Sequence, residues 1–187
     1  MVNFNTILKK NLSGLSEYVA LATVSPKLYN EANMEIIKFL VKESNMPGVY
    51  VTLNAPFSTV KKKIEEKKID SRMIIFIDAI TKTSQGIERK DNALLIGNPQ
   101  NLSDISVAMD QAVRSLPSAK RFVFFDSLST LLLYNKPESV AQFVHFLSGR
   151  MRIWKVKGII ISLQNKKDQD LIDSLLPFCD TQINLED

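Results

Sequence analysis

An acidic residue and a hydroxyl residue, Asp126 and Ser127, follow the apolar segment 122–125. A carboxylate at the end of a buried strand can hold a magnesium ion through the water bound to that ion. The same two residue types also cap helices, because their side-chain oxygens accept hydrogen bonds from backbone N–H groups of the first turn. The segment therefore has two interpretations: an ion-binding carboxylate, or the cap of a helix that begins at Leu128.

Metal-binding and redox side chains are nearly absent, since Cys179 and His145 are the single cysteine and histidine of 187 residues. One cysteine forms no internal disulfide, and the two residues together make neither a zinc site nor a usual thiol–imidazole pair. With 45% apolar and 24% charged residues, the composition is typical of a soluble globular protein. We find no membrane-spanning run and no apolar leader segment, so we expect a cytoplasmic protein that does not bind membranes.

The formal net charge of +4 is concentrated locally, because residues 61–90 hold nine Lys or Arg against five acids. Residues 150–167 add six basic residues and no acid. Clustered basic side chains can bind nucleic acid by releasing counterions from its phosphates. However, charges alternate in sign along 61–68, as on a solvated helix face, and no aromatic residue is interleaved within that stretch for base stacking. We therefore prefer two solvated surfaces and keep nucleic-acid binding as an alternative.

Short apolar runs alternate with helical patterns along the whole chain, which predicts one domain over residues 1–187. The predicted strands are 18–24, 49–53, 73–77, 93–96, 122–125, 158–163 and 182–185, and the predicted helices are 31–43, 57–68, 102–116, 137–155 and 168–176. Because the strands are continuously apolar, we expect helices on both faces of a mainly parallel sheet. This is a three-layer, doubly wound α/β fold, with a flexible loop predicted over residues 81–92.

Several segments together resemble one family, the KaiC-type branch of the RecA-like P-loop ATPases. The segments are GVYVTLNAPFSTVKKKIEEKKID, MIIFIDAITKT, FVFFDSLSTLL and GIIISLQNKKDQDLIDSLLPFCDTQINL, and the resemblance runs from about Tyr18 to Leu185. It implies a RecA-like fold and places Asp126 and Ser127 at the family's Walker B position. It also implies association through RecA-like faces, with identical or related subunits.

The sequence departs from this family where the phosphates would bind. A phosphate-binding P-loop requires glycines, a lysine and a hydroxyl, whose N–H groups and charge hold the phosphates and magnesium. The corresponding stretch, SPKLYNEANMEIIKFL, contains no glycine. In an ungapped match, Glu31 replaces a glycine, Ala32 the lysine, and Asn33 the Ser or Thr. We therefore expect that the chain does not bind triphosphates tightly.

The carboxylate that the family uses to polarise the attacking water is also missing. Asn54 and Ala55 stand after the second strand, where the family has acidic residues. An amide cannot act as the general base for water. The resemblance thus predicts a degenerate member that lacks the Walker A motif, with Asp126 and Ser127 as its remaining nucleotide-site residues and with no catalytic residue, metal ion or cofactor.

Our leading hypothesis is a catalytically inactive regulatory or assembly module that acts by binding a protein partner or further copies of itself. One alternative is an enzyme or small-ligand binder that uses Asp78, Asp126 and the loop 81–92 at the carboxyl ends of the strands. The other alternative is a nucleic-acid-binding module that uses the basic clusters 61–68 and 150–167. The conformation of residues 25–33 discriminates among them, because a tight turn with free N–H groups favours phosphate binding, whereas a helix or a turn filled by side chains opposes it.

Overall fold

The computed structural model describes residues 2–84 and 86–186 as a regular succession of strands and helices. The strands in chain order are β1 (Tyr18–Val24), β2 (Gly48–Thr52), β3 (Ile74–Asp78), β4 (Glu88–Lys90), β5 (Ala93–Leu95), β6 (Phe122–Asp126), β7 (Lys157–Leu163) and β8 (Thr181–Asn184). The helices are α1 (Phe4–Leu12), α2 (Tyr29–Ile37), α3 (Phe57–Glu66), α4 (Leu102–Ser115), α5 (Leu128–Tyr134), α6 (Pro137–Trp154) and α7 (Gln169–Leu175).

The strands of the described residues form one eight-stranded sheet in the order β4-β5-β3-β2-β6-β7-β1-β8. Neighbouring strands are parallel except for the antiparallel pair of β4 and β5. Every residue of β1, β2 and β6 is buried, as expected for strands that are covered on both faces. This confirms the predicted doubly wound, mainly parallel α/β sheet.

Two layers of helices cover the sheet, and alternate residues of each strand point into one layer or the other. Tyr18, Ala20 and Ala22 of β1 pack into a core with residues of α1, α2 and α3. Val19 and Leu21 pack into a second core with residues of α4 to α7. The three-layer αβα arrangement is therefore confirmed. In the described residues, no helix has the length and apolar composition that crossing a bilayer requires.

Two elements of the structure were not predicted from the sequence. Helix α1 was not predicted, although Phe4, Leu8 and Leu12 recur every four residues and are buried. Part of the segment 81–92, predicted as a flexible loop, is the edge strand β4. This strand has no apolar pattern, because backbone pairing with β5 rather than side-chain burial positions it.

The observed elements begin and end within a few residues of the predicted ones, except for the helix predicted over 31–43. Helix α2 begins two residues earlier, at Tyr29, and continues into a π-helical turn over Lys38–Glu43. At the carboxyl edge of the sheet, Thr52 at the end of β2 lies in register with both Asp78 of β3 and Asp126 of β6. The elements thus bring the predicted carboxylates Asp78 and Asp126 to the same edge, on either side of Thr52.

We predict that Gly48→Ala lowers the free energy of unfolding, by about 1–3 kcal/mol. A Cβ atom at Gly48 would lie 2.3–2.5 Å from ring atoms of Phe122 on the neighbouring strand β6. The ring is buried, so it has little room to move away. Urea unfolding monitored by circular dichroism measures the change.

Gly149→Ala is the matched control, because this glycine lies within α6 and a Cβ there meets no atom within 4 Å. Alanine costs less backbone entropy in a helix, so we expect this variant to be more stable by about 0.5–1 kcal/mol. Equal unfolding midpoints for both variants would contradict the close packing at Gly48.

Candidate functional site

The candidate site is a buried cluster of polar side chains around Asp126, at the carboxyl end of β6. It contains Asp126, Tyr29 and Asn33 from α2, Tyr50 from β2, and Asn54 from the loop after β2. We call these five residues the Asp126 cluster. Asp126 is only 3% exposed, and Tyr50 and Asn33 are buried as well. Asn54 is exposed and lies at the solvent side of the cluster.

Four side-chain donors of the protein bind the two carboxylate oxygens of Asp126. Oδ1 accepts hydrogen bonds from the Tyr29 hydroxyl and from Asn54 Nδ2, the latter at 2.9 Å. Oδ2 accepts from the Tyr50 hydroxyl at 2.6 Å and from Asn33 Nδ2 at 3.1 Å. An ionised carboxylate has about four acceptor positions. The protein's own donors therefore satisfy the carboxylate.

A second set of hydrogen bonds fixes the orientation of the Asn54 amide. Its Oδ1 accepts from the Thr130 hydroxyl, and its Nδ2 also donates to the Tyr29 oxygen at 2.6 Å. The Thr130 hydroxyl lies 3.0 Å from the hydroxyl of Ser127. Because Thr130 donates to one side of the amide, the donor side of Asn54 faces Asp126 and Tyr29.

Ser127 caps helix α5, since its Oγ accepts a hydrogen bond from the backbone N–H of Thr130 at 3.3 Å. This confirms the helix-cap interpretation for Ser127. Asp126 does not cap the helix, because its oxygens face the opposite direction, toward β2 and α2. The peptide bond between the two residues is cis.

Aromatic packing positions the Tyr50 hydroxyl. The Tyr50 ring packs edge-on against Phe124, with ring centroids 5.0 Å apart, and also contacts Phe76 on the other neighbouring strand. Parallel register places Tyr50 beside Phe124, two residues before Asp126. Held between two rings, the hydroxyl extends toward the carboxyl edge and reaches Asp126.

Burial raises the pKa of Asp126, although the hydrogen bonds that it accepts act in the opposite direction. Burial and the charge of Asp126 also raise the pKa values of Tyr29 and Tyr50. Both tyrosines therefore stay protonated at neutral pH and remain hydrogen-bond donors. None of the Asp126 cluster residues carries a positive charge, so hydrogen bonds alone compensate the carboxylate.

Residues 25–28 form a short turn, and residues 29–33 are the first residues of α2. The N–H of Leu28 donates to the Ser25 carbonyl at 3.2 Å, and the N–H of Ala32 donates to the Leu28 carbonyl at 2.8 Å. The Tyr29 side chain extends from the first residue of α2 to Asp126. Residues 29–33 are helical, a conformation that we expect to oppose phosphate binding.

The resemblance to RecA-like ATPases implies a magnesium nucleotide, but the residues present do not fit one. Ala32, at the expected lysine position, is fully buried and supplies no charge. Asn33, at the expected hydroxyl position, donates to Asp126, so the carboxylate faces donors and no acceptor position is directed to metal-bound water. Within 2–84 and 86–186, no three His, Cys, Asp or Glu side chains are grouped as metal ligands.

Asp78, the other predicted carboxylate at the strand ends, is fully buried and is hydrogen-bonded to the turn after β3 and to the start of α3. Its oxygens accept from the backbone N–H groups of Phe57, Ile80 and Thr81 at 2.8–2.9 Å, and from the Thr81 hydroxyl at 2.6 Å. These bonds hold the start of α3 and the turn after β3. Asp78 and Asp126 belong to strands that are separated by β2 and share no hydrogen-bond partner.

The two basic clusters differ in their surroundings. Lys62 and Lys67 are exposed on and just after α3. In the cluster 150–167, Arg150 pairs with Asp110, and Arg152 pairs with Asp180 at 3.0 Å. Two of its six cations are therefore bound internally, which agrees with our preference for ordinary surface charges over a nucleic-acid interface.

The remaining reactive side chains lie outside the Asp126 cluster. His145 is exposed on α6, and its ring packs on Phe178 with centroids 4.3 Å apart. Cys179 is half-buried, and burial raises the pKa of its thiol to about 11. A thiol that stays protonated at neutral pH is a poor nucleophile.

Asp126 was predicted from the sequence as a site residue, but the donors that bind it were not. Asn33 and Asn54 were noted only as departures from the family pattern, and Tyr29 was not singled out at all. The sequence did contain a signal for these donors. Asn33 and Asn54 stand where the family has a magnesium-site or catalytic side chain, and each is an amide that can donate to a carboxylate.

Comparisons with known proteins support the fold. A family described as "Family of unknown function (DUF7504)" matches residues 43–185. No curated protein matches the sequence. A solved KaiC-like protein from the hyperthermophilic archaeon Pyrococcus horikoshii OT3 is structurally similar, with a TM-score of 0.56 and 14% identity. The similarity covers 79% of this chain and 61% of that protein, and it confirms a RecA-like, KaiC-type fold.

We predict that Tyr50→Phe lowers the free energy of unfolding by about 1–3 kcal/mol, because it removes a buried donor from Asp126 and leaves the packing of the ring unchanged. Tyr134→Phe is the control, since Tyr134 is 43% exposed and lies outside the Asp126 cluster. Urea unfolding of both variants measures the difference. Equal losses in the two variants would mean that the Tyr50 hydroxyl does not support Asp126.

The pKa of Asp126 predicts a pH dependence of stability. Burial raises this pKa above its ordinary value of 3.8, so the folded chain holds the proton more tightly than the unfolded chain. The stabilisation is complete below the unfolded pKa and is lost as pH rises through the folded pKa. The unfolding free energy of the wild type minus that of Asp126→Asn should therefore fall from about pH 4 upward.

Urea titrations of both proteins at several pH values measure this difference. A difference that instead grew with pH would mean that the four hydrogen bonds outweigh burial and lower the pKa of Asp126.

Proposed function

The chain belongs to the family of unknown function DUF7504, and on that premise we propose that it is a RecA-like module that does not hydrolyse nucleotides and acts by binding other proteins. One observation carries the proposal: four donors of the chain itself enclose the Asp126 carboxylate. A carboxylate that serves a nucleotide must accept hydrogen bonds from water on magnesium. In this chain, hydroxyl and amide groups occupy those acceptor positions.

Binding magnesium at Asp126 would require the cluster to open. Each displaced hydrogen bond contributes about 0.5–1.5 kcal/mol, and a buried donor left without an acceptor costs about 1–3 kcal/mol. Asn33 and Tyr50 are buried, so water could not replace Asp126 as their acceptor without a local rearrangement. These costs favour the closed cluster over an ion-bound state.

The residues at the positions that bind phosphates and orient water in the family support the same proposal. Ala32 provides no cation for a phosphate, and Glu31 adds a negative charge to the first turn of α2. Asn54 holds its amide between Thr130 and Asp126, so it neither accepts a proton nor orients water. Asp126 then serves to join α2, β2 and β6 rather than to bind a ligand.

Because this RecA-like module has no nucleotide site in our proposal, we infer that it acts by binding proteins. Large apolar side chains are exposed on its helices, notably Leu133 of α5 and Phe146 and Ile153 of α6. Phe146 and Ile153 are seven residues apart and therefore lie on the same face of α6. Regulation or assembly through such surfaces is the function that we assign to the chain.

Isothermal titration calorimetry with Mg-ATP and Mg-ADP tests the loss of nucleotide binding. We expect no saturable heat for the full chain up to about 1 mM nucleotide, a limit that corresponds to about −4 kcal/mol. A KaiC-like ATPase with an intact phosphate loop serves as the positive control. Micromolar affinity accompanied by release of inorganic phosphate would overturn the proposal.

A further inference from the structure

The solvent side of helix α6 carries an uncharged stripe. The side chains that face the sheet are buried, among them Val140, Val144 and Met151. On the solvent side, five uncharged residues follow one another at alternating spacings of three and four: Ser139, Gln142, Phe146, Gly149 and Ile153. All five are exposed, and these spacings place them along one side of the helix. We call these five residues the α6 stripe.

Two members of the α6 stripe are large and apolar. Phe146 is 53% exposed and Ile153 is 70% exposed. Their exposure to water is unfavourable, and contact with another apolar surface would remove it. Alternating spacings of three and four are typical of a helix that packs lengthwise against a second helix. The α6 stripe therefore fits a helix as its partner.

Gly149 lies between these two residues, and packing within the chain gives no reason for a glycine there. A Cβ atom at this position would meet no atom of the described residues within 4 Å, and the backbone is not left-handed. Glycine within a helix is destabilising relative to alanine. A bulky side chain of a partner that approaches α6 at this point would explain why a side chain is missing.

An open groove of about 460 Å³ runs beside the α6 stripe, between α4 and α6. Its lining is uncharged and consists of Leu102, Ser103, Ser106, Ser139, Gln142, Phe143 and Phe146. The groove leaves room along one side of the stripe for part of a second helix. Because neither sign of charge lines it, the surface does not select a strongly charged partner.

Several of the charged side chains that flank the α6 stripe are paired within the chain. On the side of α4, Asp110 pairs with both Arg114 and Arg150. Near the end of α6, Arg152 pairs with Asp180. These pairs lie beside the stripe, so its apolar residues can contact a partner without separating them.

The charges at the two ends of α6 favour one direction of pairing between two such helices. Lys136 and Glu138 at the start have opposite signs, whereas Arg152 and Lys155 at the end are both basic. A parallel pair would bring the basic ends of two copies together, and like charges repel. An antiparallel pair keeps the basic ends apart and brings each of them to Glu138 at the start of the other helix.

We propose that the α6 stripe pairs antiparallel with the α6 stripe of a second copy of this chain. Phe146 then lies opposite Gly149 of the second copy, and Ile153 lies opposite Gln142 of the second copy. Each large apolar side chain thus meets a smaller or unbranched residue. The same contacts occur twice, as the two-fold symmetry of a homodimer requires.

The contact between two α6 helices is limited in size. Each helix has 18 residues and is about 27 Å long. One helix pair buries less surface than a permanent interface, so we expect a weak dimer with a dissociation constant of about 10–100 μM. The pairing deepens the proposed function by naming the protein that is bound. It rests on that function only in that the chain acts by protein binding, and it is independent of the Asp126 cluster.

Sedimentation equilibrium of the full chain, from about 5 to 500 μM, tests the proposal. We expect a monomer–dimer equilibrium. The double variant Phe146→Glu and Ile153→Glu should weaken the dimer at least about tenfold, because it brings unpaired carboxylates into the contact. The control is Leu15→Glu with Leu133→Glu, which makes the same change in net charge at exposed apolar residues outside α6 and should leave the dissociation constant unchanged. Circular dichroism checks that the variants are folded.

Gly149→Gln tests the close approach at the glycine. The isolated chain has room for a side chain at this position, so the variant should fold. In the dimer the added side chain would meet Phe146 of the second copy, and we expect the dissociation constant to rise at least about fivefold. An unchanged dissociation constant would overturn the pairing of Phe146 with Gly149.

Disulfide formation tests the direction of pairing, in a background with Cys179→Ser, since Cys179 is the single cysteine. A mixture of Gln142→Cys and Ile153→Cys chains should form disulfide-linked heterodimers, because antiparallel pairing places these two positions opposite each other. Each variant alone should form few, because its two cysteines lie too far apart to be bridged. Equal cross-linking of each variant alone and of the mixture would overturn antiparallel pairing.

Failure of this proposal can be distinguished from failure of the proposed function. A chain that stays monomeric at about 500 μM, or a dimer that the Phe146 and Ile153 variant forms as tightly as the wild type, would reject the pairing of α6 alone. Micromolar Mg-ATP binding with turnover would reject the proposed function and leave the dimer measurements standing.

Discussion

The burial of the Asp126 carboxylate without a countercharge is the constraint on which the site depends. A buried carboxylate is tolerated only when hydrogen bonds replace those it makes to water. Four donors achieve this, and they come from α2, β2 and the loop after β2. The entry into α2 and the end of β2 must therefore meet the end of β6 at one point. Their packing cannot shift independently, because each shift would leave a buried polar group unpaired.

The fold was predictable because its strands are apolar on both faces and therefore stand out in the sequence. Strand β1 was predicted with its observed boundaries, whereas the charged β4 gave no such signal. Asp126 was identified because it ends an apolar run. Its partners were not, since Tyr29 and Tyr50 are 97 and 76 residues away in sequence, and only the sheet order brings them together. Contacts of this kind depend on tertiary structure, which local patterns do not encode.

The Asp126 cluster shows which groups face a carboxylate at the carboxyl edge of this sheet. In phosphoryl-transfer enzymes, positioned cations stabilise negative charge at such an edge. Here tyrosine hydroxyls and asparagine amides surround the negative charge, and the Asp126 carboxylate lies in the packed interior. A fold alone therefore does not assign an activity; the groups that face the carboxylate do.

The π-helical turn Lys38–Glu43 affects how the chain opens locally. It places Glu43 next to α1, where it accepts from Asn5 Nδ2 at 2.8 Å and pairs with Lys9 at 3.2 Å. Both contacts lie at the surface, so water competes for them and they hold α1 only weakly. These two contacts are the first of α1 that local opening would break, whereas the buried residues Phe4, Leu8 and Leu12 hold the helix on the core. Since α1 packs in the same core as Ile183 of the edge strand β8, its detachment would expose one face of that strand.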